Sequence, residues 1–146
     1  MNFMTNVSVK GTINASADDV WKTVSSFRDI EKYLPLVKSS VTEGSGLGAK
    51  RTCTVGTPDG KEAKFNEEVT NFDENAKSLT YEIAGFSPFP FENYKGTVKV
   101  VDTGNNTCEI EWSSTIDAKG PEDEVTKMMN DVYTTAINGL KQLYTK

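Results

Sequence analysis

The sequence contains no histidine. Histidine is the side chain whose ordinary pKa lies closest to neutral pH, so the commonest general acid or base is missing. Its absence also excludes Ser-His-Asp and Cys-His nucleophile arrangements and the usual zinc and iron ligand sets. Catalysis would need a carboxylate with a raised pKa or a tyrosine donor. We therefore predict no metal site and no cofactor, and we assign no catalytic residue.

The chain also lacks an excess of positive charge. Sixteen Lys and Arg residues stand against twenty-one Asp and Glu residues, for a net charge of −5. This balance argues against nucleic-acid binding, which needs a basic surface, and against electrostatic attachment to anionic lipid. No apolar run is long enough to cross a bilayer, and residues 1–10 lack the pattern of a secretory signal. We expect a cytoplasmic protein with no nucleic-acid partner and no membrane insertion.

Cysteine is scarce, because the chain has only Cys53 and Cys108, far apart in sequence. Neither belongs to a CxxC pair or to a metal-ligand spacing. In a reducing cytosol we expect both to remain free thiols, buried as small apolar side chains.

What the sequence does contain is an ordered series of short periodic segments. Apolar residues alternate over 7–13, which predicts a strand. Ser16, followed by Asp19 three residues later, predicts the N-cap of a short helix. A second short helix is predicted to end at Pro35. Further strands are predicted near 37–43, 48–56, 61–71, 78–85, 91–102 and 107–117. The intervening turns are too short for crossover helices, so the sheet should be antiparallel.

The last part of the chain predicts one long amphipathic helix. Gly120 precedes Pro121, which suits the first helical position, and an acidic first turn follows. The predicted apolar stripe consists of Val125, Met128, Met129, Val132, Ala136, Leu140 and Leu143. A helix of this length can cover one face of the sheet. We predict a single α+β domain over 1–146, with about seven curved antiparallel strands wrapped around the C-terminal helix and an apolar cavity between them.

Several segments resemble the START/polyketide-cyclase superfamily. They are Ile13 to Trp21, Tyr33-Leu34-Pro35, Gly48 to Arg51, Leu79-Thr80-Tyr81, Asn93 to Thr97, Glu111-Trp112 and Gly139-Leu140-Lys141. The resemblance covers nearly the whole chain in the right order and is strongest to small bacterial members related to polyketide cyclases and dehydrases. It implies a helix-grip (START-like) fold. Members bind lipids, polyketides, hormones or aromatic compounds in the cavity, and a minority catalyse cyclisation or dehydration.

Strand parity and helical spacing select the side chains that should face this cavity. They are Tyr33, Arg51, Val55, Phe65, Glu67, Tyr81, Ile83, Tyr94, Ile110, Trp112, Met129, Val132 and Ala136. Arg51 and Glu67 are candidate partners in an ion pair, because a buried guanidinium needs a carboxylate or a ligand anion. The alternatives stay open: a polar anchor inside the cavity, a pair at its rim, or an Arg51 side chain that turns out to solvent.

Two loops are candidate portals, because the resemblance implies gates at residues 56–60 and 85–91. The second loop carries three phenylalanines and two prolines, so its rings could cover the mouth of the cavity. The alternative is that they plug the end of the barrel as ordinary core. The portal residues are Gly56, Pro58, Gly60, Phe86, Phe89 and Phe91.

The leading functional hypothesis is binding of a small hydrophobic or aromatic molecule, lipid-like or polyketide-like, without chemistry. A second is a cyclase or dehydratase that uses a tyrosine, Arg51 or Glu67. A third is a partner-binding module of the co-chaperone or toxin type. We expect a monomer or a weak homodimer.

Overall fold

The computed structural model describes residues 4–145. The seven strands are β1 Met4–Ile13, β2 Val37–Glu43, β3 Lys50–Gly56, β4 Glu62–Asp73, β5 Ser78–Ala84, β6 Phe91–Gly104 and β7 Thr107–Ala118. The two α-helices are α1 Ala17–Ser25 and α2 Glu122–Leu143, and a single 3₁₀ turn spans Ile30–Lys32. This element order confirms the predicted helix-grip architecture, a seven-stranded antiparallel sheet with a long C-terminal helix.

The strands form one sheet in the order β1-β7-β6-β5-β4-β3-β2. Every neighbouring pair is antiparallel. The last strand, β7, pairs with β1, so β1 and β2 lie at opposite edges of the sheet. The register shifts between Val69 and Asn71 in β4 and between Glu92 and Lys95 in β6. Such irregularities bend a strand and increase its twist. They help to give the sheet the concave face on which α2 lies.

The helix boundaries differ slightly from those expected. Ser16 caps α1 as predicted, since its Oγ accepts a hydrogen bond from the Asp19 N–H at 3.1 Å. The predicted second helix is only the 3₁₀ turn, because Pro35 disfavours the helical conformation of the residue before it. Pro121 stands one residue before α2 instead of at its first position.

The buried face of α2 is close to the predicted stripe but rotated. Its buried residues are Val125, Met129, Tyr133, Ala136, Ile137 and Leu140. The prediction missed Tyr133 and Ile137, and it included Leu143, which is exposed. Within residues 4–145, no helix combines the length and the apolar character of a membrane span.

Close approach of α2 to the chain around the 3₁₀ turn depends on Gly139. A Cβ at this position would lie 2.0 Å from the Tyr33 carbonyl oxygen. No side chain fits that gap, so glycine lets the helix backbone contact the segment before β2. This contact fixes the distance between α2 and the residues at one side of the cavity.

Candidate functional site

A cavity of about 160 Å³ lies between the concave face of the sheet, the segment from the 3₁₀ turn to the start of β2, and α2. Its wall consists of Ile30, Leu34, Leu36, Val37, Arg51, Cys53, Phe65, Glu67, Tyr81, Ile83, Phe89, Phe91, Tyr94, Trp112, Met128, Met129, Val132 and Tyr133. Most of these side chains are aliphatic or aromatic. The charged ones are Arg51 and Glu67.

The wall includes most of the residues predicted from strand parity and helical spacing. Those in the wall are Arg51, Phe65, Glu67, Tyr81, Ile83, Tyr94, Trp112, Met129 and Val132. Tyr33, Val55, Ile110 and Ala136 are buried but do not line the cavity. Tyr33 instead packs against Trp112, with ring centroids 6.2 Å apart. Parity alone separates the two faces of a strand, but it does not say which inward residues are covered by their neighbours.

Sequence reasoning missed another part of the wall. These residues are Ile30, Leu34, Leu36, Val37, Cys53, Met128 and Tyr133. Tyr133 had a detectable signal, since it lies four residues after Met129 and four before Ile137, the spacing of one helix face. The segment from Ile30 to Val37 was predicted as a short helix followed by a strand, and that prediction does not show that its residues reach the cavity.

The two candidate portals differ in their relation to the cavity. In the predicted portal at residues 85–91, Phe89 and Phe91 line the cavity, whereas Phe86 is 68% exposed and lies outside it. Phe91 is almost completely buried and belongs to the core. Gly56, Pro58 and Gly60, the residues of the other predicted portal, are exposed and are not among the residues of the wall. Their turn follows the end of β3, beyond the inward side chains.

Several side chains of the wall are partly exposed to solvent and are candidates for the mouth of the cavity. Leu36 is 41% exposed, and Phe89, Met128 and Val132 are half-buried. The Phe89 ring packs edge-on against Phe65 at 5.0 Å. Small movements of these side chains would open the cavity without unfolding the sheet.

Arg51 and Glu67 form an ion pair inside the protein. Glu67 Oε1 accepts hydrogen bonds from Arg51 Nε at 2.9 Å and from Nη2 at 2.6 Å. Both side chains are more than nine-tenths buried, and the guanidinium lies 3.7 Å from the centre of the Phe27 ring. Burial is the largest influence on the pKa of Arg51 and lowers it, but the adjacent Glu67 carboxylate, together with smaller contributions from Cys53 and two tyrosines, more than compensates, so the net shift of this pKa is upward. Arg51 therefore stays charged and holds the carboxylate in place.

Cys53 lies on the same side of β3 as Arg51, and its Sγ donates to Glu67 Oε1 at 3.9 Å. Burial, and then the negative charge of Glu67, raises the pKa of this thiol to about 12. Cys53 and Cys108 are both buried free thiols, as predicted. At neutral pH Cys53 is protonated and is a weak nucleophile.

Three tyrosines and one tryptophan form a hydrogen-bonded chain across the cavity. Trp112 Nε1 donates to Tyr81 Oη at 2.9 Å, the Tyr81 and Tyr94 hydroxyls are 3.1 Å apart, and those of Tyr94 and Tyr133 are 2.5 Å apart. Burial raises the pKa of all three tyrosines, so each is protonated at neutral pH. These hydrogen bonds connect β5, β6 and β7 with α2 and fix the shape of this side of the cavity.

Gly96 makes room for these rings. It pairs with Tyr81 across β5 and β6, and a Cβ here would lie 2.8 Å from both Tyr81 Cζ and the Tyr94 hydroxyl. A larger residue would push the two rings apart and break their hydrogen bond.

Residues 4–145 match the family model described as polyketide cyclase/dehydrase and lipid transport. The chain belongs to this family. A search of curated proteins gives no match. An uncharacterised member of the same fold from Bacillus thuringiensis is 26% identical, with a TM-score of 0.79 and coverage of 96% of this chain and 98% of the other. A solution NMR structure from Thermobifida fusca is also 26% identical, with a TM-score of 0.79 and coverage of 95% and 92%.

The cyclase/dehydrase family fold extends to a plant enzyme. Norcoclaurine synthase from Thalictrum flavum, in complex with dopamine and hydroxybenzaldehyde, has a TM-score of 0.75. It is 17% identical, and the alignment covers 99% of this chain and 90% of the enzyme. At this identity the likeness establishes the shared fold alone.

Proposed function

We propose that the protein binds a small hydrophobic or aromatic molecule in the cavity between the sheet and α2. The observation that carries this proposal is an apolar cavity with a few fixed polar groups at one side. Such cavities are typical of ligand sites, because apolar walls supply affinity and a few polar atoms set orientation. The membership in a family of cyclases, dehydrases and lipid-transport proteins supports the same conclusion.

The structure of the wall favours binding over chemistry. The tyrosines are protonated and bonded to one another, and the Cys53 thiol is held in its neutral form. Glu67 is tied to Arg51 through Oε1. A cavity whose thiol and hydroxyls are neutral and whose carboxylate is held in an ion pair suits recognition of a ligand better than transfer of protons at neutral pH.

The cavity's methionines allow a direct test. We expect saturable shifts of the Met128 and Met129 methyl signals in NMR spectra when single-ring aromatic compounds are added. Met4 is exposed on β1 and serves as an internal control that should not respond. Native mass spectrometry of protein purified from its own host should also detect a bound hydrophobic molecule. If no single-ring aromatic compound gives saturable shifts of the Met128 and Met129 methyl signals, the proposal is wrong.

A matched pair of variants separates binding in the cavity from binding on the surface. Val132→Phe places a larger side chain in the wall and should abolish the methyl shifts. Val101→Phe introduces the same side chain at an exposed position of β6 and should leave them unchanged.

Cyclase or dehydratase activity is the second candidate function. It is favoured by the Glu67 carboxylate, which lies in the cavity wall among tyrosine hydroxyls. Conversion of a polyketide or a hydroxylated aromatic substrate, lost in Glu67→Gln or Tyr81→Phe, would establish this function. Binding without turnover by the same compounds would support the first candidate.

We treat residues 1–146 as one ligand-binding domain, since the described buried residues form one continuous apolar cluster. Cytoplasmic location is supported by the two free buried thiols. A monomer or a weak homodimer fits the exposed large apolar residues, which are spread over several elements. They are Met4, Leu36, Val41, Leu47, Phe86, Val101 and Leu143.

A further inference from the structure

The buried ion pair leaves two polar atoms without a partner. Glu67 Oε1 accepts from Arg51 and Cys53, but in the described part of the chain no hydrogen bond reaches Glu67 Oε2 or Arg51 Nη1. Both atoms keep some accessible surface. Among the described residues, the side-chain nitrogen and oxygen atoms that lack both a hydrogen bond and accessible surface are Trp21 Nε1 and Ser114 Oγ. Arg51 and Glu67 both line the cavity, so these two atoms are the candidates for contact with the polar end of a ligand.

The other polar groups of the wall offer a ligand much less. The Trp112 indole N–H and the hydroxyls of Tyr81, Tyr94 and Tyr133 are bonded in one chain. The two bonds among these hydroxyls use two of their three protons, so the chain offers a ligand one free O–H at one of its ends. A ligand bound elsewhere along the chain would have to compete with a hydrogen bond between two buried groups, which costs free energy. The polar end of a ligand is therefore directed to the ion pair.

The charge of the ion pair restricts the polar end of the ligand. Arg51 and Glu67 are the charged residues of the wall, and their charges cancel. A carboxylate would bring a second negative charge next to Glu67, and an ammonium group would bring a second positive charge next to Arg51. Either would be an unpaired charge in an apolar enclosure. A neutral hydroxyl avoids both, since it can donate to Oε2 and accept from Nη1.

The size of the cavity restricts the rest of the ligand. Its volume is about 160 Å³, and an apolar cavity of about 150 Å³ in another protein holds one benzene molecule. Phe65, Phe89 and Tyr81 supply aromatic surfaces around the space. We infer that the cavity takes a neutral single-ring phenol, whose hydroxyl bonds to Glu67 and Arg51 while its ring fills the apolar part. This inference rests on the proposed function and names its ligand class.

Three probes of similar size test the inference: phenol, toluene and benzoate. At pH 7 phenol is neutral, because its pKa resembles that of tyrosine, about 10. Transfer from water alone favours toluene over phenol, since burying an unpaired hydroxyl is costly. We expect isothermal titration calorimetry to give the opposite order, with phenol about tenfold tighter than toluene and benzoate at least tenfold weaker than phenol.

A double variant tests whether the ion pair is responsible for this order. Arg51→Met with Glu67→Leu replaces the pair by apolar side chains of similar size, a change that buried ion pairs often tolerate. We expect this protein to prefer toluene over phenol. The matched control is Lys50→Met with Glu68→Leu, one residue away in the β3–β4 register and exposed on the outer face. It should retain the preference for phenol.

The outcomes distinguish this inference from the proposed function. If toluene binds as tightly as phenol to the natural protein, the cavity binds apolar rings but the phenol inference is wrong. Tighter binding of benzoate would mean that Arg51 anchors an anion, and would also overturn it. If none of the three probes binds, the proposed function fails as well. The natural protein alone decides among these results, even if the double variant does not fold.

Discussion

Two ion pairs lie side by side on β3 and β4 and occupy opposite faces of the sheet. Lys50 pairs with Glu68 across the strands, and Arg51 pairs with Glu67 at the next position. The Lys50–Glu68 distance is 3.9 Å and both side chains are well exposed, whereas the Arg51–Glu67 distance is 2.6 Å and both are buried. One residue of register thus separates a solvated surface contact from the polar centre of the cavity.

The comparison shows how the energetic role of a charge depends on its surroundings. An exposed pair is screened by water and contributes little to stability. A buried pair gains little net free energy when complete, but losing one partner leaves a charge in a medium that cannot solvate it. Losing one member of the inner pair should therefore cost much stability, whereas losing one member of the outer pair should cost little.

The largest expected effect comes from breaking the inner pair. Glu67→Ala leaves the Arg51 guanidinium buried without a carboxylate, so we expect the free energy of unfolding to fall by about 3–5 kcal/mol. Glu68→Ala should change it by less than about 1 kcal/mol. Urea denaturation followed by circular dichroism measures both. Similar losses in the two variants would contradict the distinction between the faces.

Strand parity made this part of the site predictable. The side chains of Arg51, Glu67, Tyr81 and Trp112 face inward because each lies an even number of residues from buried apolar neighbours on its own strand. The β-bulges, which could have reversed this parity, fall elsewhere: the break in β4 follows Val69, beyond Glu67. The order of turns and strands likewise predicted the antiparallel sheet.

The rest of the site could not be predicted from periodicity. Leu34, Leu36 and Val37 line the cavity. They follow Tyr33, whose backbone lies against Gly139 of α2, and a tertiary contact of this kind leaves no periodic pattern in the sequence. In the loop of residues 85–90, composition indicated rings near the cavity but could not say which rings face it. Helix ends also shift by one or two residues, as Pro121 illustrates.

A smaller effect should separate two phenylalanines of the β5–β6 loop, which extends the comparison of inside and outside to the cavity mouth. Phe89 is half-buried and stacks on Phe91 at 5.4 Å, whereas Phe86 is exposed. We expect Phe89→Ala to lower the free energy of unfolding by about 1–2 kcal/mol, less than the 3–5 kcal/mol of a fully buried ring. Association and dissociation of a single-ring ligand should both become faster, as measured by NMR line shapes.

Phe86→Ala is the control for this change and should alter stability by less than about 0.5 kcal/mol, with unchanged ligand kinetics. If Phe89→Ala instead costs as much as a core ring and leaves the kinetics unchanged, Phe89 is a plug and not part of a movable mouth.

The smallest expected effect concerns protonation on the inner face. Cys53 shares that face with Arg51, and its pKa rises from an ordinary value of 9.0 to about 12 on folding. The unfolded chain releases this proton above pH 9 while the folded protein keeps it, so the thiol's contribution to stability is complete below pH 9 and is lost as pH rises toward 12.

Replacing Cys53 by valine removes this dependence of stability on pH. We expect the variant to lose about 1 kcal/mol less stability than the natural protein between pH 8 and pH 10 in urea denaturation. Tyrosine ionisation affects both proteins alike and cancels in the difference. Parallel pH dependences would mean that Cys53 titrates in the folded protein as it does in water, which is incompatible with its position beside the Glu67 carboxylate.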